Sequence, residues 1–311
     1  MRHLIECVPN FSEGRDTARI DALVAAMSGV PGAWVLDRHS DADHNRTVIT
    51  IAGQPEAVAE AALRGVGAAS ESIDLNRHQG AHPRIGATDV LPFVPIAGVT
   101  MRDCVELAHR VGHQIWERYQ IPVYFYEAAA LRPERTALEH VRKGRFEGLR
   151  QDVPLDPSRA PDLGGPHLHP TAGAIAVGAR KFLIAYNINL DTPDVTIADK
   201  IARTIRTSGG GLPALKALGI ALASRGITQV SMNLTDFEQT SLQQVYETVL
   251  HEAERHGCTI AGSEIVGLVP QKALDTKAGY FHALDNLSPA QILENRLATV
   301  LGKQEAARVS A

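Results

Sequence analysis

The chain has 311 residues, 44% of them apolar and 21% charged, with a formal net charge of -4. That length supports a sizeable core and more than one domain, in the composition range of folded soluble proteins. The slight negative charge excludes a general affinity for nucleic acid or anionic membrane, so an anionic substrate must be held by local charges.

Residues 4–8 form a β-branched run ending at Pro9, and Ile20, Leu23, Val24 and Met27 then recur at helical spacing up to Gly29. Strands are predicted over 33–36 and 48–52, joined by the polar loop 37–45. Pro55 opens a helix with Val58, Ala62, Val66, Ala69 and Ile73 on one face. Residues 90–96 read as a strand, 103–119 as a helix and 123–126 as a strand, giving β-α-β-β-α-β with a helix and strand appended. A short helix is predicted over 136–144. Pro154, Pro157, Pro161, Pro166 and Pro170, with Gly164, Gly165 and Gly173, then break every period up to Val177, as an inter-domain connection would.

Residues 181–186 begin a second unit, with Ile197, Ala198, Ile201, Ala202 and Ile205 marking a helix and 219–223 and 230–234 two strands. Thr240 with Gln243 reads as a capping box before the next helix, and 259–269 supplies the last strand region. Each half runs from a strand into an asparagine loop, at Asn10 and at Asn187. Ser288, Pro289 and Gln291 cap a final helix, with fraying expected after Lys303. The expectation is an α+β chain of two ferredoxin-like modules, 1–178 and 179–311, each a mixed or antiparallel sheet with helices packed on it.

The stretch 76–89, NRHQGAHPRIGATD, fits neither helical nor strand period. It gathers two histidines, two arginines and an aspartate, with Gly80 and Gly86 read as sites of unusual backbone angles. His82 precedes Pro83, which pushes it to an extended loop conformation open to a ligand. Residues 37–46 crowd acid, imidazole and guanidinium groups into a connection longer than a hairpin needs, which predicts a binding loop. His109 and His113 have a zinc-protease spacing but Arg110 where the glutamate would stand, and His167 and His169 lack a third ligand, so no metal is predicted. The three cysteines, Cys7, Cys104 and Cys258, lie far apart, against any disulfide framework. No leader-like or membrane-spanning apolar run occurs, which predicts a cytoplasmic protein.

Residues 6–14 (ECVPNFSEG), Asp37 with 45–48 (NRTV), 80–89 (GAHPRIGATD) and 178–190 (GARKFLIAYNINL) occur collinearly and resemble the glutamate formimidoyltransferase family, in its stand-alone form without a cyclodeaminase domain. The resemblance spans 5–274 and implies the two-module fold read above. It implies transfer of the formimino group of N-formimino-L-glutamate to N5 of tetrahydrofolate, the co-substrate, giving 5-formiminotetrahydrofolate and L-glutamate in histidine degradation. It also implies that His82 is catalytic. An imidazole, with an ordinary pKa of about 6.5, can take the N5 proton and return it to the departing glutamate nitrogen.

The protonated amidine calls for a carboxylate, with Asp37 and Asp41 as candidates, and the glutamate carboxylates call for Arg46 and Arg84. Animal members have an aspartate where this chain has His39, which is grouped with the substrate-binding residues. For folate, the resemblance points to Asn10, Gly164, Gly165, His169, Pro170, Thr171 and Gly173, although this chain departs from animal members at 166–168 and at Ala172. Arg132, Arg135, Arg142, Lys143, Arg145 and Arg150 then read either as a solvated face or as an attraction for a polyglutamate tail. A homodimer, and a folate site between the modules, are further expectations. Two alternatives stay open: an N-formylglutamate donor, and a non-catalytic folate-binding protein.

Overall fold

The computed structural model describes residues 3–274, 284–285 and 287–309, with side chains through 302. Two compact units emerge, Met1–Lys181 and Phe182–Ala311. In the first, β1 (Leu4–Cys7) and β2 (Asn10–Phe11) are one strand line interrupted at Pro9. They are followed by α1 (Thr17–Ser28), β3 (Ala33–Asp41), β4 (Arg46–Gly53), α2 (Pro55–Ser72), β5 (Thr88–Ala97), α3 (Met101–Tyr119) and β6 (Val123–Glu127). Helix starts follow local chemistry: Asp16 caps α1 through the Arg19 N–H, Pro55 opens α2, and Thr100 with Asp103 forms a capping box on α3. The strands β3, β4, β1/β2 and β5 lie side by side and antiparallel, the ferredoxin-like order.

Two sequence expectations are corrected here. The polar residues 37–41 are strand, not loop: β3 continues to Asp41 at the sheet edge, leaving only 42–45 as the hairpin turn. Charged side chains on an unpaired edge are compatible with strand and discourage further pairing. The Pro/Gly-rich run, in turn, is not an inter-domain connection. After β6 the chain forms α4 (Leu138–Val141) and α5 (Arg145–Asp152), the second of which was not expected. It then returns as β7 (Ile175–Ala179), inserted parallel between β5 and β6 and buried throughout.

One sheet face packs on α1, α2 and α3 through Ile5, Phe11, Ile49, Ile51, Phe93 and Phe125, which meet Leu23, Met27, Leu63, Val66, Val111 and Ile115. On the opposite face a smaller cluster, including Tyr124, Tyr126, Phe146, Leu149 and Leu168, covers the β5–β7–β6 side. Cross-strand partners share a face. Asn10 with Val48, His39 with Val48, Asp37 with Thr50, and Asp41 with Arg46 therefore line a polar surface on β2, β3 and β4, away from the α1–α3 core.

The second unit repeats the order with β8 (Ile184–Leu190), α6 (Val195–Ile205), β9 (Leu215–Leu222), β10 (Ile227–Leu234), α7 (Leu242–Arg255) and β11 (Ile260–Val266), arranged β11-β8-β10-β9. Tyr186, Ile188, Ile201, Val230, Met232, Val245 and Val249 form its core. Asn187 lies inside β8, where its amide donates to Glu264 at 3.1 Å, rather than in a loop. The capping box of α7 is Ser241 with Gln244, one residue later than read, because the Thr240 hydroxyl donates to the Pro213 carbonyl at 2.5 Å. Ser288 and Gln291 do form a box, but it opens a single 3-10 turn ahead of α8 (Leu293–Val309). The expectation of fraying after Lys303 falls on side chains outside the described residues. No helix among the described residues is long and apolar enough to cross a membrane.

The contact between α3 and β6 offers a test. At an open helix position Gly→Ala stabilises by about 1 kcal/mol. A Cβ on Gly112, however, would lie 2.6 Å from the Phe125 ring. Overpacking costs about 1–3 kcal/mol, so Gly112→Ala should lower stability in denaturant unfolding. A stabilised variant would show that α3 stands farther from the sheet than described.

Candidate active site

Three segments separated in sequence meet around His82. Asn45, at the hairpin turn with φ of 47°, accepts from the Gly14 N–H and donates to the Gln79 carbonyl, both at 2.9 Å. The Ala81 N–H donates to the Asp43 carbonyl at 3.1 Å. Ser12 donates its hydroxyl to Gly86 O at 2.7 Å and its N–H to Ala87 O at 2.8 Å. The glycines in this loop have a different reason than expected. Neither Gly80 nor Gly86 has a positive φ; instead a Cβ would strike the backbone, 2.2 Å from His44 O at Gly80 and 2.0 Å from Ala174 O at Gly86.

Beneath the loop lies Asp89, fully buried at the start of β5. One carboxylate oxygen accepts from Arg46 Nη1 at 2.8 Å and from Arg142, and the other accepts from the Ile85 N–H at 2.9 Å. Burial alone would raise its pKa, but Arg142, Arg46 and the Ile85 amide hold it below the usual carboxylate range. Arg46 also donates to Asn10 Oδ1 through Nε and Nη2 at 3.1 and 2.8 Å. Burial draws its pKa down to about 10, which leaves it charged at neutral pH.

His82 is half-buried, with its ring centroid 5.8 Å from that of His44. Its Nδ1 is 2.8 Å from the Pro83 carbonyl, which can only accept, so Nδ1 carries the proton and Nε2 the lone pair. Burial first, then Arg46, Arg142 and His44, push its pKa well below the ordinary imidazole range. The result is a neutral imidazole with a basic Nε2. His78 is a brace: Nε2 donates to the Asn45 carbonyl at 2.8 Å while Nδ1 accepts from Arg84 Nε at 2.9 Å. Arg84 then grips Glu147 bidentately at 3.0 and 2.7 Å.

Arg46 and Arg84, matched to substrate carboxylates from sequence, are thus each already bound to a carboxylate of the protein. Asp37 and His39 stand on the same strand face as Arg46, and Asp41 accepts the His44 N–H at 2.6 Å to close the turn. His169 folds on itself, Nδ1 accepting from the Ala172 N–H at 2.9 Å. Gly173 pairs with Gly86, Leu75 N–H donates to Thr171 O, and Asn76 donates to Pro170 O, so 169–173 supports the His82 loop. Gly164 and Gly165 lie elsewhere, exposed beside Trp116 and Pro161. The basic run divides: Arg142 binds Asp89 and the buried Arg135 pairs with Asp162 at 2.6 Å, whereas Lys143, Arg145 and Arg150 are exposed as a solvated face requires. Of the two histidines on α3, His109 is half-buried with Nε2 bonding the Ala129 carbonyl at 2.8 Å, and His113 is exposed. Sequence reading missed Arg142 as a site residue, and Tyr126, whose phenol interacts with Arg142 and Arg180.

A tandem ferredoxin-like α+β protein with a neutral histidine in an arginine-rich setting has the equipment for proton transfer on an anionic substrate. The chain belongs to the formiminotransferase domain family: the N-terminal subdomain matches residues 4–180 and the formiminotransferase domain residues 185–301. It is 49% identical to a glutamate formimidoyltransferase of Streptococcus pyogenes serotype M1, over 96% of this chain and 99% of the relative. Another from Thermoplasma acidophilum is 43% identical over 94% and 97%. The formimidoyltransferase-cyclodeaminase of Gallus gallus is 45% identical over 90% of this chain and 53% of its own length. The family inferred from the four sequence blocks is borne out.

Asp89 tests the electrostatics. Asp89→Asn leaves Arg46 and Arg142 short of a counter-charge in a buried place and should cost about 3–5 kcal/mol. Because the folded carboxylate has a depressed pKa, its contribution is present above the unfolded value of about 3.9 and lost as pH falls through the folded one. The wild type should therefore lose stability below about pH 4 in a way Asp89→Asn does not. Equal stability of the two proteins at pH 7, in denaturant titrations, would remove Asp89 from this role.

Proposed function

We propose that this protein is a glutamate formimidoyltransferase, moving the formimino group of N-formimino-L-glutamate to N5 of tetrahydrofolate in histidine degradation. The observation that carries the reading is His82, held neutral with Nε2 as its basic atom in a member of this family. Tetrahydrofolate supplies the nucleophilic nitrogen. Nε2 takes the proton released there and returns it to the departing glutamate nitrogen. The Pro83 carbonyl holds Nδ1–H throughout, which stabilises the transient imidazolium without changing the tautomer.

Asp37, Asp41 and His39 share the strand face next to Arg46 and supply negative charge or hydrogen bonds for the amidine. Arg46 contributes positive field to an anionic donor while bound to Asp89, and Arg84 acts by orienting His78. For folate we propose Asn10, Gly164, Gly165, His169, Pro170, Thr171 and Gly173. Two facts support the fit: Gly164 and Gly165 leave backbone exposed, and more guanidinium than carboxylate surrounds His82, as an anionic co-substrate requires. A cytoplasmic homodimer is part of the same proposal.

His82→Ala should keep the wild-type circular dichroism and lose roughly 10²- to 10⁴-fold in turnover with N-formimino-L-glutamate and tetrahydrofolate. Since burial, Arg46, Arg142 and His44 outweigh the Pro83 carbonyl in opposing protonation, the wild-type rate should persist as pH falls through about 6.5 and decline only below it. An acid limb at or above that value contradicts the role of His82. N-formyl-L-glutamate, assayed alongside, should be the poorer donor; a preference for it would reassign the reaction.

A further inference from the structure

With Arg46 bound to Asp89 and Arg84 to Glu147, the donor's own carboxylates need another cation. Arg180 directly follows β7, its N–H donating to the Phe93 carbonyl at 3.0 Å, and its side chain is half-buried. Nη1 donates to the Lys181 carbonyl at 2.9 Å, which engages one of five guanidinium N–H groups. Among the described residues no carboxylate lies within ion-pair distance of it. On the neighbouring strand β6, Tyr126 lies across Gly178, where a Cβ would be 2.6 Å from the ring. Arg180 acts electrostatically on the Tyr126 phenol, whose pKa burial raises to about 12, so the hydroxyl keeps its proton and can donate.

Two further observations bear on Arg180, the first of which connects it through Tyr126 to groups that act on His82. Tyr126 interacts with Arg46 and Arg142 as well as with Arg180, and those first two act on His82. Glu6, on β1 two strands from β7, is buried and feels Arg180, yet burial holds its pKa up to about 7. It is therefore only partly ionised near neutral pH and competes only in part for the guanidinium. The charge left unmatched on Arg180 suits a planar carboxylate received bidentately, with the phenol as an added donor.

We infer that Arg180, with the Tyr126 hydroxyl beside it, binds a carboxylate of the amino-acid donor. This rests on the function proposed above and names one subsite within it. The donor is favoured over folate by chemistry: its carboxylates lie a few bonds from the formimino carbon, whereas the folate carboxylates lie beyond the pterin and aminobenzoyl groups.

The test is the KM for each substrate in Arg180→Ala and Arg180→Lys. Loss of a charge-assisted bidentate contact should raise the KM for N-formimino-L-glutamate roughly 10- to 100-fold in Arg180→Ala and less in Arg180→Lys. The KM for tetrahydrofolate should stay within about threefold, and added guanidinium ion should partly rescue Arg180→Ala. Donor analogues lacking one carboxylate supply a control independent of the variants' folding: wild type should discriminate against the analogue missing the bound group, and Arg180→Lys should discriminate less. An unchanged donor KM, or a rise confined to tetrahydrofolate, overturns the inference. A wild-type protein inactive with this donor would instead overturn the proposed function.

Discussion

The site depends on one buried negative charge. Asp89 takes Arg46 from β4, Arg142 from the end of α4 and the Ile85 amide from the His82 loop, so a single side chain ties the sheet, the α4–α5 segment and the loop together. Such a carboxylate is costly to bury alone and stable only while its partners stay in place, which makes the arrangement nearly all-or-none. Two guanidinium groups share it, and the excess positive charge is available to the site.

That excess has a direct effect on the chemistry. Positive neighbours and burial both disfavour a protonated imidazole, so His82 starts each cycle as a base, and the Pro83 carbonyl decides which nitrogen is basic. Neither feature would be useful if the loop drifted. Its position is fixed by the hairpin turn through Asn45 and Asp43, by the His78–Arg84–Glu147 chain, and by 169–174 pairing beneath it. Gly80 and Gly86 permit that docking because neither has a side chain to hold the neighbouring backbone away.

Much of the fold was legible because α1, α2, α3 and α7 bury one apolar face each, and the core strands are short β-branched runs bounded by turn residues. What escaped has physical reasons. β7 has small residues, Ile-Ala-Val-Gly-Ala, suited to a strand enclosed on both faces, and it follows a run of prolines that looks like a linker. The outer part of β3 is polar because it is an edge. The histidine loop stood out by its lack of period, but the partner of each arginine did not: Asp89 is 43 residues from Arg46 and 53 from Arg142, separations at which no local pattern survives. Arg180 and Glu6 lay within the sequence blocks that carried the family resemblance, and only the strand order showed them to be neighbours.

The central claim, a His82 kept neutral with its lone pair on Nε2, can be read by nitrogen-15 NMR of the imidazole ring across a pH titration. The account predicts a proton on Nδ1 at neutral pH and a titration midpoint clearly below the ordinary value of about 6.5. A midpoint at or above that value, or a proton resident on Nε2, would contradict it.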